Sequence, residues 1–342
     1  MNVLEETCPG PASPLRGVIF VFLMLITACA GAADGYRYFL TGNAEDVERQ
    51  THGLIVMQGG GDDVDENFIR MGAGAGGGDF VVLRASGADD YNDYIFGLCG
   101  CDSVETLVLE GREASSDPFV IRVIRNAEAI FIAGGDQSKY VLYWQNTPVQ
   151  DAIDYVAAKP APIGGTSAGM AVLGEFVYSA MTESVTTESG LGNPYNADLT
   201  LARDFLDLPW MKNIITDQHL QERQRIGRTI AFMARLVEDG WTGQARAIAA
   251  DRETAVHLNP ESGEATVYAT ADHETPFAYF MRTTGEPEQC VAGKPLTYRN
   301  IEVYRIGPGG SFDIGGWRGK GGISYTLGAE DGALVSSRDS AY

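Results

Sequence analysis

The segment with the clearest chemical pattern is a serine framed by small residues. Residues 164–169 read Gly-Gly-Thr-Ser-Ala-Gly, which contains the G-x-S-x-G pattern of a nucleophile elbow. In such an elbow a sharp turn from a strand into a helix exposes the serine hydroxyl. The prolines of residues 160–163 precede the motif, and a helical pattern begins at Met170, so the context predicts this turn. Ser167 is therefore the candidate nucleophile, and the N–H of Ala168 would face a developing oxyanion.

A serine hydroxyl needs a neighbouring base, which is usually a histidine. The chain has four histidines, at positions 52, 219, 257 and 273. His219 follows a buried strand predicted for residues 213–216, so it lies at the carboxyl end of a strand, where α/β folds bind ligands. His273 lies in a polar loop and is the base that an α/β-hydrolase esterase would use. We prefer His219, and an esterase that uses Ser167 and His273 is the alternative.

Three motifs, in the same order, resemble those of the cyanophycinases and their relatives in peptidase family S51. They are Gly-Gly-Asp-Gln at residues 134–137, the serine motif, and Asp-Gln-His at residues 217–219 followed by Arg223, Arg225 and Arg228. The resemblance extends over roughly residues 53 to 258. It implies a class I glutamine amidotransferase-like α/β sandwich with a mostly parallel sheet.

The resemblance also implies roles for individual residues. Ser167 would be the nucleophile and His219 the general base, with the N–H groups of Gly135 and Ala168 as the oxyanion hole. The family's substrate pocket is matched by Gln137, Asp217, Gln218, Arg223 and Arg225. An acid should orient the histidine, and Glu175, Glu183 and Glu188 follow the serine motif. Glu175 lies too close to the motif, and of the other two we prefer Glu183.

The activity implied by the resemblance is hydrolysis of peptide or isopeptide bonds. The expected substrates are cyanophycin-like β-aspartyl-arginine links or related aspartyl peptides. No metal and no organic cofactor are expected, because the protein itself supplies nucleophile, base and oxyanion donors. A catalytically inactive binding homologue is a further alternative.

The elements that must position these residues follow an α/β pattern. Continuous apolar or β-branched runs predict buried strands at residues 54–57, 80–83, 106–109 and 129–132. Helical spacing lies between and after them, at residues 63–75, 90–97, 117–127 and 137–158. Beyond residue 240, short alternating runs predict antiparallel strands at residues 245–249, 254–257, 266–269 and 301–306. We expect a hydrolase domain over residues 53–285 and a small C-terminal β appendage over residues 286–342.

Composition limits the partners. The chain has 25 basic and 46 acidic residues, a net charge of −21, and nucleic-acid binding depends on basic side chains that neutralise phosphates. Nucleic acid is therefore not an expected partner, whereas a peptide or isopeptide substrate is. Assembly into a homodimer stays open.

The N-terminal region predicts export. Residues 17–30 form an apolar run followed by small residues, as in a secretory signal, so residues 1–32 would be a signal peptide. Ile-Thr-Ala-Cys at residues 26–29 also resembles a lipoprotein box, which would lipidate Cys29 and tether the protein to a membrane. The mature protein would then be periplasmic, secreted or lipid-anchored.

Three cysteines lie beyond this region. Cys99 and Cys101 are too close in sequence for easy mutual bridging, and no second Cys/His pair is near enough to suggest zinc. In an oxidising compartment we expect one of them to pair with Cys290.

Overall fold

The computed structural model describes residues 35–342. The predicted signal peptide and its lipidation site Cys29 lie outside the described residues. Within residues 35–342, no helix is both long and apolar enough to cross a membrane.

Strands and helices alternate in the first half of the described chain, and strands dominate the last third. The strands are β1 Tyr36–Gly42, β2 Ile55–Gln58, β3 Asp79–Arg84, β4 Ser103–Leu109, β5 Ala129–Ile132, β6 Ile163–Thr166, β7 Phe176–Tyr178, β8 Leu201–Arg203, β9 Ile214–Asp217, β10 Arg246–Ala250, β11 Thr254–Leu258, β12 Glu264–Ala269, β13 Ala278–Arg282, β14 Tyr298–Ile306, β15 Ser311–Asp313, β16 Arg318–Lys320, β17 Ile323–Glu330 and β18 Ala333–Ser336. The helices are α1 Asp65–Gly74, α2 Asn92–Cys99, α3 Pro118–Asn126, α4 Gln137–Trp144, α5 Pro148–Ala158, α6 Thr187–Gly192 and α7 Ile226–Glu238.

The first sheet has a parallel centre and antiparallel edges. Its strand order is β1-β4-β3-β5-β6-β2-β11-β12-β15-β16, and the five strands from β4 to β2 are parallel. Every residue of β2, β5 and β6 is buried. Parallel strands are covered on both faces, which explains their continuous apolar runs. The sequence prediction of a mostly parallel central sheet is confirmed.

Alternate residues of these strands enter two different clusters. Val81 and Leu83 pack with α3 and α5 on one face, whereas Phe80 and Val82 pack with α1 and α2 on the other. This alternation of side chains fixes the register of the sheet, because a one-residue slip would exchange the two faces. Helices therefore cover both sides of the strands that carry the serine motif.

The second sheet contains the strand that precedes His219. Its order is β18-β17-β14-β13-β10-β9-β7-β8, with β10, β9 and β7 parallel and the others antiparallel. Helix α7 packs on it through Ile230, Phe232 and Leu236. The first strand, β1, and the strands beyond residue 286 extend the same two sheets, so the proposed domain limits at residues 53 and 285 both fall within continuous sheets. That division stays a prediction.

Three local expectations were wrong. The helix predicted for residues 137–158 is two helices, because the backbone of Asn146 turns to a positive φ of 56° and Pro148 begins α5. The helix predicted after the serine motif is a single 3₁₀ turn, Met170–Val172.

The third concerns the cysteines. Cys99 bonds to Cys101, not to Cys290, which is a free and buried thiol. Burial raises the pKa of the Cys290 thiol to about 12, so it stays protonated.

Candidate active site

Ser167 lies in a tight turn at the carboxyl end of β6. Its φ is 51°, a left-handed conformation that side chains other than glycine seldom adopt. Its N–H donates to the carbonyl of Gln58, at a distance of 3.0 Å. A Cβ on Gly165 would lie 2.6 Å from the backbone of Gly169, so the turn requires the glycine. The elbow geometry predicted from the motif is therefore present.

His219 lies opposite Ser167, two residues beyond β9. Its Nε2 is 3.1 Å from the Ser167 Oγ. Its N–H donates to the carbonyl of Gly59 at 2.8 Å, and its own φ is 50°. Gly60 packs directly on the imidazole, and a Cβ there would overlap the ring. The carboxyl ends of β2, β6 and β9 thus converge on one pair of side chains.

The acid beside His219 is Glu222, which the sequence analysis did not identify. Its Oε2 is 2.8 Å from the His219 Nδ1. The two acids expected from the sequence, Glu183 and Glu188, are both exposed. The backbone carbonyl of Glu183 accepts from the hydroxyl of Tyr178. The structure therefore puts Glu222, not Glu183, against the imidazole.

The charges of this pair follow from its surroundings. Burial lowers the pKa of His219, although the hydrogen bond and charge of Glu222 act in the opposite direction. Partial burial raises the pKa of Glu222, but the hydrogen bond and charge of His219, together with Arg223 and Arg252, outweigh this and lower it overall. The imidazole is therefore neutral and the carboxylate ionised near neutral pH. Glu222 accepts a hydrogen bond from the Nδ1–H, which leaves the Nε2 lone pair free for the Ser167 hydroxyl.

The glycine turn after β5 lies beside the nucleophile. A Cβ on Gly134 would be 3.6 Å from the Ser167 Cβ, and Gly135 has a φ of 150°. The buried Tyr140 hydroxyl donates to the carbonyl of Ala133 at 2.9 Å and so holds the turn. Ala168 follows Ser167 directly. The two predicted oxyanion donors, Gly135 and Ala168, thus belong to turns that flank the serine, and their role stays a prediction.

The predicted substrate residues divide into buried and accessible ones. Asp217 is buried and accepts from Arg228 at 2.5 Å and from the Thr229 hydroxyl at 2.7 Å. Burial opposes its ionisation, but the charge and hydrogen bonds of Arg228 outweigh this and lower the pKa of Asp217. Its carboxylate therefore anchors Arg228 instead of facing a substrate.

Arg225 is nearly buried beside this ion pair. Its guanidinium donates to the backbone and side-chain oxygens of Gln218. Burial and the neighbouring charge of Arg228 lower the pKa of Arg225 to about 10, so it remains a cation at neutral pH. Arg223 is about half exposed, and its Nε lies 3.8 Å from Glu222. Gln137, the first residue of α4, is partly exposed at the same edge as Gly135.

The fold and the serine motif define the chain as an α/β serine-type hydrolase. Residues 90–259 match the model of peptidase family S51. The chain is 26% identical over 226 residues to a cyanophycinase of Trichormus variabilis, covering 64% of this chain and 68% of that one. It is 27% identical over 210 residues to a cyanophycinase of Synechococcus elongatus, covering 56% and 61%.

A solved structure has the same fold. It is a peptidase from an acI-B1 Actinobacterium, which matches with a TM-score of 0.51 and 14% identity over 77% of this chain and 98% of that one. Over residues 90–259 the chain is similar to peptidase family S51, and it is a serine-type peptidase with the glutamine amidotransferase-like fold.

Proposed function

We propose that the protein hydrolyses aspartyl peptide or isopeptide bonds, with β-aspartyl-arginine links of the cyanophycin type as the leading substrate. The observation that carries the proposal is the continuous hydrogen-bonded series from the Ser167 Oγ to the His219 Nε2, at 3.1 Å, and from the Nδ1 to Glu222, at 2.8 Å. In this proposal Glu222 takes the third position, for which the sequence favours Glu183.

The mechanism follows from the direction of these hydrogen bonds. His219 Nε2 accepts the hydroxyl proton while Ser167 Oγ attacks the carbonyl carbon, and the N–H groups of Gly135 and Ala168 bind the resulting oxyanion. The imidazolium, stabilised by Glu222, then donates its proton to the leaving amine. His219 then takes a proton from a water molecule, whose oxygen attacks the carbonyl carbon of the acyl-enzyme. The ester bond to Ser167 breaks, the imidazolium returns the proton to the Ser167 Oγ, and the acid product leaves. Each step uses groups that the chain itself supplies.

The substrate assignment rests on charge. The charge of Arg225 acts on His219, and Arg228 lies close to Arg225, with Asp217 as the buried carboxylate that pairs with Arg228. Two cations against one anion leave a positive charge that suits a substrate carboxylate. Arg223 adds a more exposed cation at the same edge. A free aspartyl α-carboxylate fits this arrangement, and the relatives that match the chain are cyanophycinases.

The test is a substrate panel. The protein is incubated with cyanophycin granules and with matched α- and β-aspartyl dipeptides, and the products are identified by mass spectrometry. We expect cleavage of the β-aspartyl substrates, and Ser167→Ala should abolish it. Preference for ordinary α-peptides without an acidic residue would contradict the substrate assignment while leaving the peptidase class intact.

We further propose that the protein is exported. The apolar residues 17–30 support this, and the Cys99–Cys101 disulfide suits an oxidising compartment. In bacterial fractionation the protein should be found outside the cytoplasm with residues up to about Ala28 removed. Loss of membrane association in Cys29→Ser would indicate the lipid-anchored form. Intact cytoplasmic protein that retains Met1 would contradict export.

A further inference from the structure

We propose that Gln58 is a positioning residue that couples the nucleophile to its base. The inference rests on the proposed roles of Ser167 and His219. Gln58 is the last residue of β2 and is fully buried. In the sheet it pairs with Thr166, the residue before Ser167, on one side and with Ala255 of β11 on the other.

The main chain of Gln58 holds the nucleophile. Its carbonyl accepts the Ser167 N–H at 3.0 Å. Because Ser167 has a left-handed backbone, its conformation persists only if its surroundings fix it. This hydrogen bond is one of the contacts that do so.

The side chain of Gln58 holds the loop that follows. Its Oε1 accepts from the N–H of Val64 at 3.3 Å and from the amide of Asn67. Its Nε2 donates to the Asp62 carbonyl at 3.1 Å and to the Asp63 carboxylate at 3.2 Å. A carboxamide has two N–H donors and one oxygen with two lone pairs, so these four bonds saturate it. The carboxamide therefore closes residues 59–64 into a compact loop.

That loop holds the base. The carbonyl of Gly59 accepts the His219 N–H at 2.8 Å, and Gly60 packs against the imidazole with a φ of 95°. A shift of this loop would therefore move the Nε2 relative to the Ser167 Oγ. Gln58 thus holds the nucleophile through its peptide, and its side chain holds the loop that contacts the base.

Main-chain groups orient the two amides. The Val64 N–H can only donate and the Asp62 carbonyl can only accept, so they fix the Oε1 and Nε2 of Gln58. Asn67 then donates its NH₂ to the Gln58 Oε1, and its Oδ1 lies 2.7 Å from the Nε2 of the buried His257. Burial lowers the pKa of His257 to about 3, so its ring is neutral, and the Asn67 Oδ1 accepts from its Nε2–H.

The test replaces the donor while keeping the shape. Gln58→Glu cannot donate to Asp62 and Asp63, and it brings a second carboxyl against Asp63. We expect kcat to fall roughly 10- to 100-fold with KM changed by less than about 3-fold, because small displacements of catalytic groups cost this much. The rate at which a fluorophosphonate labels Ser167 should fall in parallel.

A pH series separates positioning from a purely structural role. Protonation of the new carboxyl restores one donor, and burial beside Asp63 raises its pKa towards neutrality. Burial also raises the pKa of Asp63 to about 6, with Asp62 and Asp65 adding to the rise and the hydrogen bonds of Tyr91 and Gln58 opposing it, so the charge that faces the new carboxyl is lost in the same range. The ratio of variant to unmodified labelling rates should therefore rise as the pH falls from about 8 to about 5. Gln150→Glu is the matched control, because Gln150 contacts residues 146 and 204 instead of the site. It should label at the normal rate.

The outcomes test the positioning role of Gln58 and the proposed function separately. If Gln58→Glu folds and labels at the normal rate throughout the pH series, Gln58 has no positioning role. If Gln58→Glu is unfolded at the assay temperature, Asn67→Leu, which removes one partner of the carboxamide, is measured instead. We expect the same loss in kcat, and a normal kcat in Asn67→Leu would contradict the positioning role. Labelling that persists in Ser167→Ala would overturn the proposed function itself, whatever the Gln58 variants do.

Discussion

Two residues of the site have backbones that side chains normally avoid. Ser167 and His219 both have positive φ values, 51° and 50°. Such conformations cost on the order of 1 kcal/mol each and persist where neighbouring contacts fix them. At both residues the contact is a main-chain hydrogen bond to the segment that begins at Gln58. These two strained backbone conformations place the Ser167 hydroxyl 3.1 Å from the His219 imidazole.

Glu222→Gln tests the third member of the proposed triad. Glutamine can still accept a hydrogen bond from the Nδ1–H, but it cannot stabilise the imidazolium by charge. We expect kcat to fall by about 10²- to 10⁴-fold with the fold intact. Glu188→Gln, the same change at an exposed acid in α6, should leave kcat within about 2-fold of normal. Equal activity of the two variants would exclude Glu222 from the triad.

The same variant should change the pH profile. The base must be neutral, and burial holds the pKa of His219 below its ordinary value of 6.5, so kcat/KM should rise with pH and level off near neutrality. Glu222 raises that pKa through its hydrogen bond and charge. Its neutralisation should therefore shift the acid limb to lower pH. A shift to higher pH would contradict this electrostatic assignment.

Arg223 should determine preference for a carboxylate. We expect Arg223→Gln to reduce kcat/KM for an aspartyl substrate with a free α-carboxylate about 10-fold relative to its amidated analogue. An uncharged activated ester should be hydrolysed at nearly the normal rate. Arg318→Gln is the control, since Arg318 is an exposed residue of β16. An equal loss on both aspartyl substrates would remove Arg223 from the carboxylate site.

At the scale of elements, the site is formed where strand ends from two sheets meet. The loop after β2, the turn after β5 and the elbow after β6 come from neighbouring strands of the first sheet, and His219 follows β9 of the second. Continuous apolar runs predicted the central strands to within three residues, because parallel strands are buried on both faces. Strand β1 was not predicted, since most of its residues are only half-buried and give no such run.

The sequence could identify Ser167 and His219 because each follows a recognisable strand. It could not identify Glu222, because a histidine and an acid three residues apart meet here only through the positive φ of His219 and the turn that follows. The buried carboxamide of Gln58 has no sequence signature either, since its partners are distributed between residues 62 and 67. The sequence motifs therefore could not predict contacts that depend on loop conformation.

Gly60→Ala tests the contact between the β2 loop and the base. The added methyl group would overlap the imidazole, and the positive φ adds strain. We expect kcat to fall at least about 100-fold, because the ring must move away from Ser167. Gly240→Ala is the control, since Gly240 also has a positive φ, 70°, but a methyl group there would meet no atom within 4 Å beyond its own chain neighbours. It should lose about 1 kcal/mol of stability and no activity.

At the scale of the whole molecule, Asp251 connects the site to the second sheet. Its Oδ1 accepts from the N–H of Gln221, in the turn after His219, at 2.9 Å, and its own N–H donates to the carbonyl of Phe277. Burial raises its pKa from 3.8 to about 7, against the hydrogen bonds from Gln221, Phe277 and Tyr279. The folded protein therefore binds this proton more tightly than the unfolded chain does.

The sign of the stability change follows from this shift. A raised pKa in the folded state contributes stability that is fully present below about 4 and is lost as the pH rises through about 7. The largest possible contribution is about 4 kcal/mol, because each pKa unit corresponds to about 1.36 kcal/mol. Asp251→Asn keeps the acceptor for Gln221 but carries no charge. It should therefore be more stable than the unmodified protein above neutrality, with the difference shrinking towards about pH 4.

Urea unfolding over a pH series measures this difference directly. Other groups titrate in the same range, but they are common to both proteins and cancel when the variant is compared with the unmodified chain. Asp272→Asn, a change at an exposed loop carboxyl, should follow the unmodified curve throughout. If Asp251→Asn is instead less stable above neutrality, the charged carboxylate is stabilised by its hydrogen bonds, and the pH dependence assigned to Asp251 has the opposite sign.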